Sequence, residues 1–340
     1  ADGLDFTPAD EPSWLSSERG NRAHDRIRSD TPWVLQLQLN SPVERQGLRV
    51  ERLRLMSGGF LGLAELDTVT VQQPSKGPQE PGGGNRWVMW FVGNGEFYEA
   101  DQLSAKLRLA KDLGVKYFDL QPARRGHFSG AAVLLSSGPR RPCSRRVDTW
   151  PPVILCGLRP CLVSDMDAFL EDLTRHGARP EHVLLFGHSM GGAVATELAA
   201  RYSPYSPVVS KQSFSSLSLE ASLILPLMLG SAGRVLAPLV GILLPFVFGG
   251  PLNLTPFDSA RRWARIRSPH KLLVFHRQDE VIPMEASVLV GLRRNRTLGD
   301  TTCVELKGNC RTPHNEDWAV HSHEEYQETI ALMRTALDIP

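Results

Sequence analysis

An α/β fold built on a mostly parallel, doubly wound sheet is predicted by two features of the chain. From Trp87 onward, short apolar runs alternate with amphipathic helical stretches, the pattern of parallel strands covered on both faces by crossover helices. Ahead of them, apolar and polar residues alternate between Trp33 and Val71, as in Leu48, Val50, Leu53, Leu55 and then Val69 and Val71. That period of two suits half-buried antiparallel strands at the leading edge of the sheet. A chain of 340 residues can bury one large core. A single domain is therefore expected over residues 31–340, after a polar arm over 1–30 that carries Pro8 and Pro12 and shows no apolar period.

The elements follow in order. The Pro/Gly-rich stretch from Gln73 to Asn85 reads as a loop. Strands are predicted at Trp87 to Val92, Val115 to Leu120, His182 to Phe186, Pro207 to Val209, Lys271 to Phe275 and Cys303 to Leu306. Helices are predicted at about Ala100 to Leu113, Val163 to Arg175, Met190 to Arg201, Met284 to Arg294 and Asp317 to Leu337. Two insertions interrupt the alternation: residues 131–158, rich in Pro, Arg and Ser, and an apolar excursion within 217–269.

Composition narrows the function classes. The 38 basic and 37 acidic residues nearly cancel, so no nucleic-acid partner is expected, phosphate binding needing a surplus of Lys and Arg. The five cysteines form no CxxC pair and are too irregular for a disulfide scaffold, so no zinc site is expected, although Cys303 and Cys310 are free to form one bridge. The first residues lack a basic segment followed by an apolar one, so no signal peptide is expected there, and the compartment is left open.

The chemistry centres on Gly187-His188-Ser189-Met190-Gly191-Gly192, between the apolar run His182 to Phe186 and a helix of small residues. In a strand-turn-helix elbow the nucleophile sits in a strained turn, and glycines two residues either side avoid clashes with neighbouring backbone. A serine hydroxyl needs a base to take its proton and a carboxylate to orient that base. Asp279 lies just beyond the strand Lys271 to Phe275, on a loop at the carboxyl edge of the sheet where the elbow also opens; Glu280 is the alternative acid. His314 lies on the Gly- and Pro-punctuated loop after the last strand, while His321 and His323 fall in the following helix and read as solvated. His188 and His276 are expected to line the site or pack. For the oxyanion, the Met190 amide follows the nucleophile, and Gly93-Asn94-Gly95 offers a second amide, from Asn94 or alternatively Gly95.

Together these residues resemble the α/β-hydrolase superfamily, over about Trp87 to the C-terminus. The resemblance implies a serine hydrolase with Ser189 as nucleophile, Asp279 and His314 as its partners, and neither a metal nor an organic cofactor. Val92-Gly93-Asn94-Gly95-Glu96-Phe97-Tyr98-Glu99, Arg125-Gly126-His127-Phe128-Ser129-Gly130 and Ser213-Phe214-Ser215-Ser216-Leu217 are similar to a less common branch that includes bacterial secreted virulence effectors, with looser counterparts in membrane-associated lipid hydrolases. The chain departs from the superfamily pattern at Val92, where a histidine often precedes the glycine.

From Ala221 to Gly249 the excursion has Arg234 as its sole charge. A membrane span needs about 20 unbroken apolar residues, and Gly230, Gly233, Arg234 and prolines 226, 238 and 245 are expected to break the run into pieces too short for one. Its place between the strand near Val209 and Lys271 predicts an apolar lid over the site; helices that only complete the core, or that insert into a membrane, are the competing readings. A lid of this kind implies an ester of a lipid or long acyl chain as substrate, with peripheral membrane contact through the lid. The arginines at 140–146 read as a solvated loop rather than a headgroup site.

Overall fold

Among the described residues eight strands form one sheet, and five of them begin within one residue of the expected apolar runs. The computed structural model describes residues 49–57, 64–72, 86–91, 103–115, 117–121, 170, 173, 178–201, 203–249 and 257–339. The strands are β1 (Arg49–Ser57), β2 (Ala64–Gln72), β3 (Trp87–Phe91), β4 (Tyr117–Gln121), β5 (Val183–His188), β6 (Val208–Lys211), β7 (Lys271–His276) and β8 (Thr302–Leu306), in the spatial order β1-β2-β4-β3-β5-β6-β7-β8. The first two pair antiparallel with each other, and β2 pairs antiparallel with β4, so the alternating N-terminal residues do form the leading edge. From β4 to β8 every pairing is parallel.

Period-two alternation in β5 buries both sheet faces. Leu185 joins Met89, Val208 and Leu273 in one cluster, while Leu184 and Phe186 join Val88, Val209 and Val274 in the other. Helix α1 (Leu103–Leu113) covers the second face, and α2 (Met190–Arg201) covers the first through Ala195 and Leu198. Further along lie α3 (Leu217–Gly249), α4 (Ser259–Trp263), α5 (Val288–Asn295), α6 (Trp318–His321) and α7 (His323–Ala336). Asp258 caps α4 by accepting from the Arg261 amide at 3.1 Å, and Ser287 caps α5. The helix expected over Asp317 to Leu337 is divided at Ser322, and that expected from Met284 begins as a short 3₁₀ turn. Of the helix expected at Val163 to Arg175, Leu170 and Leu173 are helical and buried and the rest lies outside the described residues. So do the arm over 1–30 and the insertion at 131–158.

The apolar excursion differs from its expected form. Helix continues through prolines 226, 238 and 245, and the break falls at Gly230, whose φ of 57° and ψ of −129° are non-helical. A proline removes one hydrogen bond from a helix that packing can still hold, whereas φ above zero reverses the chain. The second segment folds back on the first: a Cβ on Gly233 would lie 2.9 Å from Pro226 Cα, whereas in an unbroken helix seven residues are about 10 Å apart. No helix among the described residues is long and apolar enough to cross a membrane.

Candidate active site

β5 ends in a turn whose shape depends on its glycines. Ser189 holds a left-handed φ of 54°, and its amide donates to the Lys211 carbonyl at 2.9 Å. A Cβ on Gly187 would lie 2.5 Å from Gly192 Cα and meet the Gly191 carbonyl as well. On Gly192 it would lie 2.6 Å from Ser213 Cβ and 2.8 Å from Ser210 Oγ, so α2 reaches its approach to β6 only with a glycine there. The strain at Ser189, about 1–2 kcal/mol for a residue with a Cβ, is thus held by backbone that has no room to relax.

Beyond β7, the loop from Arg277 brings Asp279 to the same edge. Its Oδ1 accepts from the amides of Val281 (2.9 Å) and Ile282 (2.7 Å). His314, in the short 3₁₀ turn Pro313–Asn315, donates from Nδ1 to Oδ1 (3.0 Å) and Oδ2 (2.9 Å) of Asp279. Both side chains are buried. With Nδ1 carrying the proton, Nε2 of His314 keeps a lone pair and is the basic nitrogen. Burial pushes the Asp279 carboxyl up, but the His314 hydrogen bond and charge and the Ile282 and Val281 amides outweigh it, holding the group below its ordinary range.

The choice between the two neighbouring acids follows from these contacts. Asp279 meets the imidazole, while Glu280 accepts from the His314 backbone amide at 3.1 Å and so steadies the loop. His188, next to Ser189, donates from Nε2 to the His314 carbonyl at 2.9 Å, and the two rings lie 4.8 Å apart. It therefore joins the elbow to the histidine loop. His276 donates from Nε2 to the Gly308 carbonyl at 2.9 Å; His321 and His323 are exposed. Cys303 and Cys310 are free thiols rather than a bridge, and Cys310 Sγ donates to Glu316 at 2.7 Å. Met190 begins α2 directly after the turn, whereas Asn94 and Gly95 lie outside the described residues. Among the described residues no cluster of His, Cys, Asp and Glu has the makings of a metal site.

The fold has relatives of known structure. An acylaminoacyl peptidase of Pyrococcus horikoshii matches at 14% identity and a TM-score of 0.54 over 88% of this chain, which spans only 43% of the peptidase. An esterase of Pyrococcus furiosus matches at 11% identity and 0.52, over 86% of this chain and 93% of the esterase. A puromycin-hydrolyzing peptidase of Mycobacterium tuberculosis matches at 14% and 0.56, over 85% and 40%. This chain has the α/β-hydrolase fold. The model of the serine aminopeptidase S33 family matches residues 161–244, a stretch that holds the elbow and most of α3. No curated protein matches the chain by sequence. Within this fold the elbow follows β5, Asp279 follows β7 and His314 follows β8, all beyond the carboxyl ends of parallel strands.

Sequence reading missed Glu220, in the first turn of α3. It is buried, and both carboxylate oxygens are without a hydrogen-bond partner. Burial, and then the negative charge of Asp279, push its carboxyl up to about 8 from an ordinary 4.5. Between those values the folded protein holds a proton that the unfolded chain has released. Stability from this group is complete below about 4.5 and lost as pH rises to about 8, on the order of a few kcal/mol in all. Glu220→Gln, which mimics the protonated acid, should gain several °C in melting temperature over the native chain at pH 8 and little at pH 4.5. Parallel melting curves across that range would refute the assignment.

Proposed function

We propose that this α/β-hydrolase is a serine hydrolase cleaving the carboxylic ester of a lipid or other long-chain acyl substrate. One observation carries the reading: His314 commits Nδ1 to both oxygens of a buried Asp279, leaving Nε2 basic, and its ring lies 4.8 Å from that of His188, the neighbour of a serine held in a left-handed turn. In the proposed cycle Ser189 Oγ attacks the ester carbonyl while His314 Nε2 takes its proton. The oxyanion is held by the Met190 amide and by that of Asn94 or Gly95. The imidazolium, stabilised by Asp279, returns the proton to the departing alcohol. Water then enters by the same route in reverse and releases the acid and free Ser189.

The lipid part of the reading is supported by α3. Its second segment exposes Val235 (78%), Leu239 (52%), Ile242 (63%) and Leu243 (49%), more contiguous apolar surface than a water-facing helix ordinarily carries. A lid with an apolar outer face suits an acyl chain delivered from a lipid surface, with peripheral contact through α3. The match to the serine aminopeptidase family favours a second reading, amide or peptide cleavage by the same three residues.

A panel of nitrophenyl esters from acetyl to palmitoyl, set beside aminoacyl nitroanilides, separates these. The expected result is kcat/KM rising by about tenfold or more from acetyl to long-chain esters, each buried CH₂ contributing up to about 0.8 kcal/mol. Equal rates along the ester series would end the acyl-chain reading, and faster turnover of the anilides would favour the peptidase one.

A further inference from the structure

The end of β6 touches all three parts of the site. Its last residue, Lys211, accepts the Ser189 amide on its carbonyl at 2.9 Å. The next residue, Gln212, divides its side-chain NH₂ between Asp279 Oδ2 at 3.1 Å and the Pro313 carbonyl at 2.7 Å, directly before His314. Gln212 Oε1 in turn accepts from Lys211 Nζ. Both side chains are buried, and the ammonium lies 5.5 Å from the Trp318 ring centroid.

Gln212 also holds a left-handed φ of 46°, and its amide donates to the Val274 carbonyl at 2.7 Å. A residue with a Cβ is disfavoured there by about 1–2 kcal/mol, and here the conformation aims the side chain across the site. We infer that Gln212 is a positioning residue, polarised by Lys211, which fixes the Asp279 carboxylate and the His314 loop relative to the Ser189 elbow. The inference rests on the proposed roles of those three residues.

The geometry suits that task. Asp279 Oδ1 is held by two amides of its own loop as well as by His314, whereas among the described residues Oδ2 receives His314 and Gln212. Without Gln212 the carboxylate is fixed on one side and the imidazole inherits its freedom. A methionine would fill the same volume yet leave Asp279 Oδ2 and the Pro313 carbonyl without that donor. An amide whose oxygen binds an ammonium is a stronger N–H donor, so the buried lysine strengthens both of these bonds.

The test uses the full chain, with kcat and KM measured on a nitrophenyl ester and normalised to active sites titrated by a fluorophosphonate. Gln212→Met is expected to keep KM within about twofold and to lose on the order of 10² in kcat per titrated site, as small misplacements of catalytic groups do. A purely structural role would instead lower the titratable fraction and the melting temperature and leave kcat per site unchanged; that outcome overturns the inference. Should Gln212→Met not fold, Lys211→Met serves, with a fall of about tenfold in kcat per site expected and an unchanged kcat overturning it. Failure of the native chain to label at Ser189 would overturn the proposed function and this inference together. A labelled native chain beside a fully active Gln212→Met overturns this inference alone.

Discussion

Ser189→Ala is expected to abolish labelling by a fluorophosphonate and to lower kcat on esters by on the order of 10⁴ or more. The reason is that no other group inherits the task. Attack requires an oxygen at the elbow, beside the edge where the acid–histidine pair lies, and the left-handed turn presents one side chain there. Substrate affinity should change little, because alanine fits wherever serine does and the pocket wall is untouched. The decisive comparison is KM, or binding of a non-hydrolysable ester, set against kcat in both chains. An alanine variant that still labels and turns over would remove Ser189 from the mechanism; an unlabelled native chain that binds esters would make the protein a binding module.

Gly187→Ala is expected to have the largest effect on stability, about 4 kcal/mol or more, with loss of labelling. The added methyl would sit 2.5 Å from Gly192 Cα and collide with the Gly191 carbonyl, so it meets backbone on both counts. A flexible side chain would turn away at small cost, but here relief requires moving the first turn of α2 off β5 and β6. Gly192 has no slack to give, since it already stands against Ser210 and Ser213. Gly299→Ala is the control. Gly299 also has φ above zero, at 50°, but nothing lies within 4 Å of the site of its Cβ. That change should cost only about 1 kcal/mol, the conformational preference alone. Chemical denaturation of the two variants distinguishes crowding from backbone preference, and similar losses in both would refute the steric account of the elbow.

The elbow was legible because its requirement is local. Small residues two positions either side of a nucleophile are demanded by the turn itself, and a sequence shows such spacings directly. The strands were legible for a related reason: burial on both faces leaves no polar positions, so β5 and β7 stand out as apolar runs bounded by loops. Asp279 was favoured over Glu280 in the sequence, but the contact that separates them was not legible there. Adjacent carboxylates are equivalent to a spacing argument, and only the packed loop turns one to the imidazole ring and the other to the His314 backbone. The prolines of α3 misdirected the reading, since each weakens a helix without ending it when neighbouring turns are held, and Gly230 alone reversed the chain.

Sequence by itself determined the sheet's alternation and the glycine spacing of the elbow, because periodicity and steric need are properties of neighbouring residues. Tertiary structure decided which acid meets His314, that Gln212 and Lys211 tie the three loops together, and that Glu220 is buried beside Asp279. The first two depend on hydrogen-bond directions between residues as much as 101 positions apart, and the third on packing between separate elements, neither of which a local pattern encodes.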